Sequence, residues 1–233
     1  MKRIPTVDRI AGYVMVAMWL PSSALAPSPS FAAEPLPLVL RETFDRGAER
    51  WEPTDPSAWR IVAVGQGKGK AYELFGKSRY KPPYRSPLNI AWLKSPAVGD
   101  FELTVRVRST TRDYAHRDVC LFFGRQNAGH FYYVHFGKRT DDHANQIFIV
   151  NGKPRTKISQ RTSPGTPWTD GWHTLRIERR VKDGRIAVYF DDLDKPVMMA
   201  HDTTFSSGRI GIGSFDDTAQ FAEVILRAKV VKR

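Results

Sequence analysis

Residues 101–108 read Phe-Glu-Leu-Thr-Val-Arg-Val-Arg, an unbroken alternation of apolar and polar residues. Successive side chains of a β-strand point to opposite faces, so this period of two puts every apolar residue on one face. The opposite face then carries charged and hydroxyl groups, which water solvates. The stretch predicts a strand that buries one face in a core, as the strands of an antiparallel sheet do.

Ten further stretches alternate in the same way, and turn clusters such as Asn151-Gly152 and Asp183-Gly184 separate them. No stretch shows a helical period, and the proline-rich segment Lys81–Pro96 is predicted to be a loop that crosses between sheets. The sequence thus predicts an all-β domain over residues 38–233, folded as a two-sheet antiparallel jelly-roll sandwich. The ten stretches are Leu38–Phe44, Trp59–Val64, Ala71–Phe75, Val119–Arg125, Phe131–Phe136, Asn145–Val150, His173–Arg180, Arg185–Phe190, Gly208–Ser214 and Phe221–Ala228.

The composition supports one folded domain and excludes several classes of protein. The 233 residues are 41% hydrophobic and include a single cysteine, which excludes a disulfide framework and a cysteine-rich zinc module. Lys and Arg number 36 against 24 Asp and Glu, a net charge of +12. Such a charge attracts polyanions at long range. The basic residues are scattered, however, which is equally typical of a soluble protein with a high isoelectric point.

The N-terminal residues have the layout of a secretory signal peptide. Three basic residues precede an apolar run from Ile10 to Leu20, and a stretch rich in Ala, Ser and Pro follows. The pattern predicts a signal peptide over residues 1–32, cleaved before Ala33, and a short linker over residues 33–37. The apolar run is shorter than the ~20 residues that span a bilayer. We therefore expect an exported protein, periplasmic or extracellular, with no transmembrane segment after cleavage and no nucleic-acid partner.

A resemblance to a known family rests on the second half of the chain. Residues 170–177 read Asp-Gly-Trp-His-Thr-Leu-Arg-Ile, residues 184–192 read Gly-Arg-Ile-Ala-Val-Tyr-Phe-Asp-Asp, and residues 208–215 read Gly-Arg-Ile-Gly-Ile-Gly-Ser-Phe. This ending resembles that of the concanavalin A-like lectin/glucanase jelly rolls, which include laminin-G-like modules and the 3-keto-disaccharide hydrolase-type domains of bacterial exported proteins. The resemblance covers residues 38–230 and implies the fold, but a fold does not fix the chemistry.

Two expectations about chemistry follow from the resemblance. Laminarinase-type members carry the pattern Glu-x-Asp-x-x-Glu, whose two acids act on one glycosidic bond about 5 Å apart. This sequence lacks the pattern, so a retaining hydrolase of that type is not expected. Domains of this fold often hold a structural calcium ion near their chain ends. The sequence predicts no cofactor, with calcium at Asp217 or Asp45 as the alternative.

The middle strands supply the candidate binding residues. If these strands are neighbours, five polar or aromatic side chains line one concave sheet face: Arg125, Tyr133, His135, Gln146 and Arg155. Arginine binds carboxylate or sulfate through two hydrogen bonds, and a tyrosine ring offers a platform for a sugar. The alternative interpretation is an ordinary solvated sheet face.

Other reactive residues carry weaker signals. No metal site is predicted, because His143 has no histidine partner at metal-ligand spacing and His130 and His135 point to opposite faces of their strand. Cys120 is interpreted as a small buried hydrophobe. The sequence has no nucleophile elbow and no glycine loop that cradles phosphates. No catalytic motif is identified, and whether the chain is an enzyme stays open.

Three functions remain from the sequence. The first is an exported carbohydrate-binding domain for an anionic or complex polysaccharide, which uses the predicted face. The second is a glycoside-acting enzyme, either 3-keto-disaccharide hydrolase-like or a polysaccharide lyase in which Tyr133 and His135 move protons while Arg125 neutralises a uronate. The third is a structural or adhesive surface module without a sugar site.

Overall fold

The computed structural model describes residues 34–65 and 69–232, together with Met1. The predicted signal peptide therefore lies outside the described residues, apart from Met1. Contacts divide the chain into residues 1–34 and a compact unit that begins at Pro35. Within the described part of the chain, no helix is long and apolar enough to span a bilayer.

The described residues form sixteen β-strands and one 3-10 turn, Pro56–Ala58. In chain order the strands are β1 (Leu38–Glu42), β2 (Trp51–Pro53), β3 (Trp59–Ala63), β4 (Lys70–Leu74), β5 (Asn89–Leu93), β6 (Val98–Ser109), β7 (Asp118–Asn127), β8 (His130–Gly137), β9 (Gln146–Asn151), β10 (Thr156–Lys157), β11 (Arg161–Thr162), β12 (His173–Arg180), β13 (Arg185–Phe190), β14 (Met198–His201), β15 (Arg209–Ser214) and β16 (Ala219–Val230).

The strands pair into two antiparallel sheets, which confirms the predicted all-β sandwich. The nine-stranded sheet has the order β11-β14-β13-β12-β6-β16-β4-β3, and β1 adds to it along β16. The seven-stranded sheet has the order β10-β9-β8-β7-β15-β5-β2. The central strands β6 and β16 are the longest, at 12 residues each.

The stretch at residues 101–108 lies at the centre of the nine-stranded sheet and buries the face that its pattern predicts. Phe101, Leu103, Val105 and Val107 are all at most 2% exposed and belong to the core between the sheets. Val105 lies opposite Leu175 on β12 and Val224 on β16. Burying each such side chain contributes roughly 1.5–3 kcal/mol, so this strand anchors the sandwich.

The seven-stranded sheet is buried on both faces. On β7, Val119, Leu121 and Phe123 point into the core between the sheets, while Cys120 and Phe122 point to the outer face. A second apolar cluster therefore lies on the outside of this sheet. This outer face carries the candidate residues.

One sequence expectation is wrong in this region. The segment Lys81–Pro96 is not entirely a loop, because Asn89–Leu93 forms β5, which pairs with β15 and β2. All five residues of β5 are buried, so no alternation marks it as a strand. The missing side chain of Gly211 makes room for Trp92 of β5, because a Cβ there would lie 2.9 Å from the Trp92 ring.

Candidate binding site

The outer face of the seven-stranded sheet carries an apolar cluster, here named the outer cluster. It consists of eight buried residues: Ile90, Trp92, Cys120, Phe122, Phe131, Tyr133, Phe148 and Val150. Aromatic rings dominate it, and Tyr133 stacks on Phe148 with ring centroids 5.0 Å apart. All eight are at most 3% exposed, so a further layer of the protein covers this face.

The cover is the segment of residues 76–88, here named the covering segment, together with Phe215. Tyr84 and Phe215 pack on the outer cluster. The backbone N–H of Arg155 donates to the carbonyl of Arg85 at 3.1 Å, and the N–H of Leu88 donates to the carbonyl of Phe215 at 3.0 Å. These bonds fix the segment across the face. Residues of the segment line two clefts that share no lining residue.

The first cleft, here named the Arg125 cleft, encloses about 260 Å³. The Arg125 guanidinium lies 4.9 Å from the centre of the Trp92 ring, within the range of a cation–π contact. Tyr80 and Ser86 of the covering segment form one wall, and Glu52 forms part of the rim.

A backbone irregularity turns Arg125 to the outer face. A strict period of two would place residue 125 with Leu121 and Phe123, which point into the core between the sheets. Gly124 has φ of +64°, and the register of β7 with β8 shifts after Phe123. Glycine adopts this left-handed conformation without a Cβ clash, and the resulting bulge reverses the direction of the next side chain.

The second cleft, here named the His135 cleft, encloses about 300 Å³. Its lining combines arginines, histidines, carboxyl groups and the aromatic side chains of a tyrosine and a phenylalanine: Arg85, Tyr114, His116, Asp118, His135, His143, Arg155, Phe215 and Asp216. Both donors and acceptors of charged hydrogen bonds therefore face the same small volume. This mixture suits a ligand with many hydroxyl groups.

At the base of the His135 cleft, His135 and Asp118 form a buried pair. His135 Nε2 contacts Asp118 Oδ2, and the backbone N–H of Asn145 donates to His135 Nδ1 at 3.3 Å. Because Nδ1 accepts a hydrogen bond, the proton of the neutral ring lies on Nε2 and is donated to Asp118. Both ring nitrogens are occupied, so His135 lacks the free nitrogen that the lyase hypothesis requires.

Arg155 forms the wall between the cleft and the outer cluster. Its Nη1 donates to the Tyr133 hydroxyl at 3.1 Å, and its guanidinium lies 4.3 Å from the centre of the Phe215 ring. Burial raises the pKa of Tyr133 well above its usual value, so the hydroxyl stays protonated. The Tyr133 ring is fully buried, and its predicted role as an open platform for a sugar ring is wrong.

Gln146 has a structural contact. Its Nε2 donates to the carbonyl of Asp141 at 2.8 Å, and the residue is 4% exposed. This bond holds the polar loop between β8 and β9, which carries His143 to the rim of the cleft. Gln146 thus lies beneath the site instead of lining it.

The five predicted residues share the outer face but do not share one groove. His135 and Arg155 line the His135 cleft, and Arg125 lines the other cleft. Three further cleft residues were not predicted from the sequence: Asp118, Asp216 and Trp92. Asp118 follows the period of Cys120 and Phe122 on β7, so extending the strand by one residue finds it. Trp92 lies on the unrecognised strand β5.

Two neighbouring carboxyl groups bind protons more tightly than usual. Burial, followed by the nearby Asp118 carboxylate, raises the pKa of Asp217 to about 6. Asp217 Oδ1 accepts a hydrogen bond from the Tyr114 hydroxyl, and its Oδ2 accepts one from the N–H of Asp118, both at 2.9 Å. Burial and Asp118 also raise the pKa of Asp216, at the rim. Negative charge is concentrated on this side of the cleft.

One cluster of ligand-type side chains is not in a protonation state that suits a metal ion. Ligand-type atoms of Asp118, Cys120 and His135 lie within 4.8 Å of one another. However, the His135 nitrogen that faces this cluster carries the proton given to Asp118, and burial raises the pKa of the Cys120 thiol. Zinc needs a deprotonated thiolate and a free imidazole nitrogen.

The two positions predicted for calcium, Asp45 and Asp217, already have hydrogen-bond partners on their oxygen atoms. Asp45 Oδ2 accepts a hydrogen bond from Thr43, and its carbonyl accepts one from the Lys70 ammonium at 3.0 Å. A fixed cation beside this carbonyl opposes a second one. At Asp217, both carboxylate oxygens accept the hydrogen bonds from Tyr114 and Asp118. Calcium at either position stays a prediction.

Comparison with known proteins agrees with the architecture. No protein-family model and no curated protein matches the sequence. Among solved structures, the chain is similar to a carbohydrate-binding module, CBM66, from Bacillus subtilis, with a TM-score of 0.53 and 20% identity over 77% of this chain and 96% of that one. It is also similar to the GH43 protein BlXynB from Bacillus licheniformis, with a TM-score of 0.53 and 10% identity over 81% of this chain. The match spans 39% of that protein.

At these identities the likeness concerns the fold. The chain has the two-sheet antiparallel sandwich fold that the sequence predicts, and its membership of the concanavalin A-like group stays a prediction. The narrower labels, laminin-G-like and 3-keto-disaccharide hydrolase-like, stay predictions.

Proposed function

We propose that this chain is an exported carbohydrate-binding protein that holds its glycan in the His135 cleft. The observation that carries the proposal is the placement of Arg155, Asp216 and the Asp118–His135 pair around one volume of about 300 Å³. Each sugar hydroxyl both donates and accepts hydrogen bonds, so fixed cationic donors beside carboxylate acceptors suit it. The similarity of fold to a carbohydrate-binding module supports the same function.

The charge balance supports an anionic glycan. Without residues 1–32 the chain keeps 33 basic and 23 acidic residues, a net charge of +10. Arg85 and Arg155 line the cleft, and neither forms an ion pair with a described residue. A guanidinium binds a carboxylate or sulfate through two parallel hydrogen bonds. We therefore expect acidic polysaccharides to bind more tightly than neutral ones.

A glycan array probed with residues 33–233 tests the proposal. We expect retention of acidic glycans that weakens as ionic strength rises, because the screening length falls from about 10 Å at 0.1 M to about 3 Å at 1 M. Analysis of each retained glycan for new chain ends then separates a binding protein from an enzyme. If no neutral or acidic glycan binds, the proposal is wrong and the structural or adhesive module replaces it.

A further inference from the structure

The Arg125 side chain is unusual among the arginines of this face. Its guanidinium rests on Trp92 at 4.9 Å and has no hydrogen bond or ion pair with any described residue. Its Nε atom is buried and has no hydrogen-bond partner among the described residues. A guanidinium has five N–H donors, and buried donors in folded proteins are nearly always paired. The side chain is therefore held in place by an aromatic ring while its donors stay free.

The charges around Arg125 leave one cation unbalanced. Arg209 lies directly opposite Arg125 on β15, and like charges at such positions repel. Glu52 is bonded to Arg209, with Nη1 and Oε2 2.8 Å apart. Glu52 thus compensates Arg209, and the charge of Arg125 remains. An anion in the cleft would compensate it.

The walls of the Arg125 cleft suit one small polar ring. Tyr80, Ser86 and Glu52 line the same cleft as the guanidinium, and the Ser86 hydroxyl donates to the carbonyl of Tyr84 at 3.1 Å. The volume of about 260 Å³ lies at the small end of the ~300–1000 Å³ typical of ligand sites. This cleft shares no lining residue with the His135 cleft, so the two are treated as separate sites.

We propose that the Arg125 cleft is a second, separate site that binds the carboxylate of a single uronate residue. Arg125 donates two hydrogen bonds to the carboxylate, and Tyr80 and Ser86, which line the same cleft, lie beside the sugar ring. This proposal deepens the proposed function and rests on it for the sugar class of the ligand. The assignment of a carboxylate to the ligand depends only on the unpaired guanidinium of Arg125.

Titration calorimetry of residues 33–233 with D-glucuronate and D-galacturonate tests the site, with glucose and acetate as controls. Arg125→Gln should weaken uronate binding at least tenfold. Arg106→Gln is the matched control, because Arg106 rests on Trp172 at 5.0 Å on the other sheet, and it should leave binding unchanged. Glu52→Gln should strengthen uronate binding severalfold, since it frees Arg209 and removes a nearby carboxylate. This opposite effect does not depend on any loss of folding.

Three other outcomes would contradict either the second site or the proposed function. Equal binding of acetate and uronate would overturn the sugar assignment. Uronate binding that Arg155→Gln removes and Arg125→Gln spares would place the carboxylate in the His135 cleft, which contradicts this inference but leaves the proposed function standing. Failure of all oligosaccharides on the array, with Arg125-dependent uronate binding retained, would contradict the proposed function alone.

Discussion

The guanidinium of Arg155 donates a hydrogen bond to the buried hydroxyl of Tyr133 at 3.1 Å. This bond connects a residue that lines the His135 cleft to the centre of the outer cluster. The backbone N–H of the same residue donates to the carbonyl of Arg85 in the covering segment at 3.1 Å. The cleft wall is therefore set by the sheet beneath it, which keeps its cation in a fixed position.

Removal of that hydroxyl should loosen the wall. A hydrogen bond to a charged group contributes about 1.5–3 kcal/mol, so we expect Tyr133→Phe to lower the free energy of unfolding by about that amount. Urea unfolding followed by fluorescence measures it. Tyr84→Phe is the control, because the Tyr84 hydroxyl has no hydrogen bond to a described residue. If both variants change stability equally, the Arg155–Tyr133 bond does not hold the wall.

The central strand should not tolerate a charge on its inner face. Val105→Asp places a carboxylate among fully buried neighbours, which costs several kcal/mol against a net stability of roughly 5–15 kcal/mol. We expect this variant to be unfolded by circular dichroism. Thr104→Asp, one residue away on the solvent face, should stay folded. A folded Val105→Asp protein would contradict the assignment of the inner face.

Asp217 should make stability depend on pH. Its pKa rises from 3.8 to about 6 on folding, so the folded state binds the proton more tightly than the unfolded state. The stabilisation from this group is complete below pH 3.8 and disappears as the pH rises through about 6. Asp217→Asn should remove this decline, since an asparagine still accepts from the Asp118 N–H and can donate to the Tyr114 hydroxyl.

Thermal unfolding of the wild type and Asp217→Asn across this pH range measures the difference. The variant should gain stability relative to the wild type as the pH rises from about 4 to about 7. Parallel pH profiles for the two proteins would show that Asp217 has no raised pKa.

Export stays a prediction from the sequence. Expressed with its own N-terminus in a suitable bacterial host, the protein should leave the cytoplasm and begin near Ala33, because residues 1–32 have the three-part layout of a signal peptide. Fractionation and N-terminal sequencing measure this. Full-length chain recovered from the cytoplasm alone would contradict it.

Most long strands were predictable from local sequence, including β7, β8 and β9, which are buried on both faces, but β5 was not. Residues 101–108 alternate because one face meets water, whereas Asn89–Leu93 is buried on both faces and shows no period. The sequence placed five polar or aromatic residues on one face by assuming that their strands are neighbours, and the structure divides three of them between two clefts. It did not predict that residues 76–88 cover this face, because that contact joins segments far apart in the chain.

The direction of Arg125 shows a second limit. Counting by twos assigns it to the inner face, and only the left-handed Gly124 turns it outward. A glycine in a strand is a signal for a bulge, but its consequence depends on pairing with β8. Asp118 and His135 both follow the period of two in their strands, so counting by twos places each of them on the outer face.

The most direct test of the account is the affinity of the tightest-binding acidic glycan for two charge-matched variants. Arg155→Gln and Arg106→Gln each remove one cation that rests on an aromatic ring, but on opposite faces of the sandwich. The account predicts that Arg155→Gln weakens binding roughly ten- to a hundredfold, as the loss of a charged hydrogen bond should, while Arg106→Gln leaves it unchanged. Equal losses in both variants would show that the glycan responds to net charge alone and does not occupy the His135 cleft.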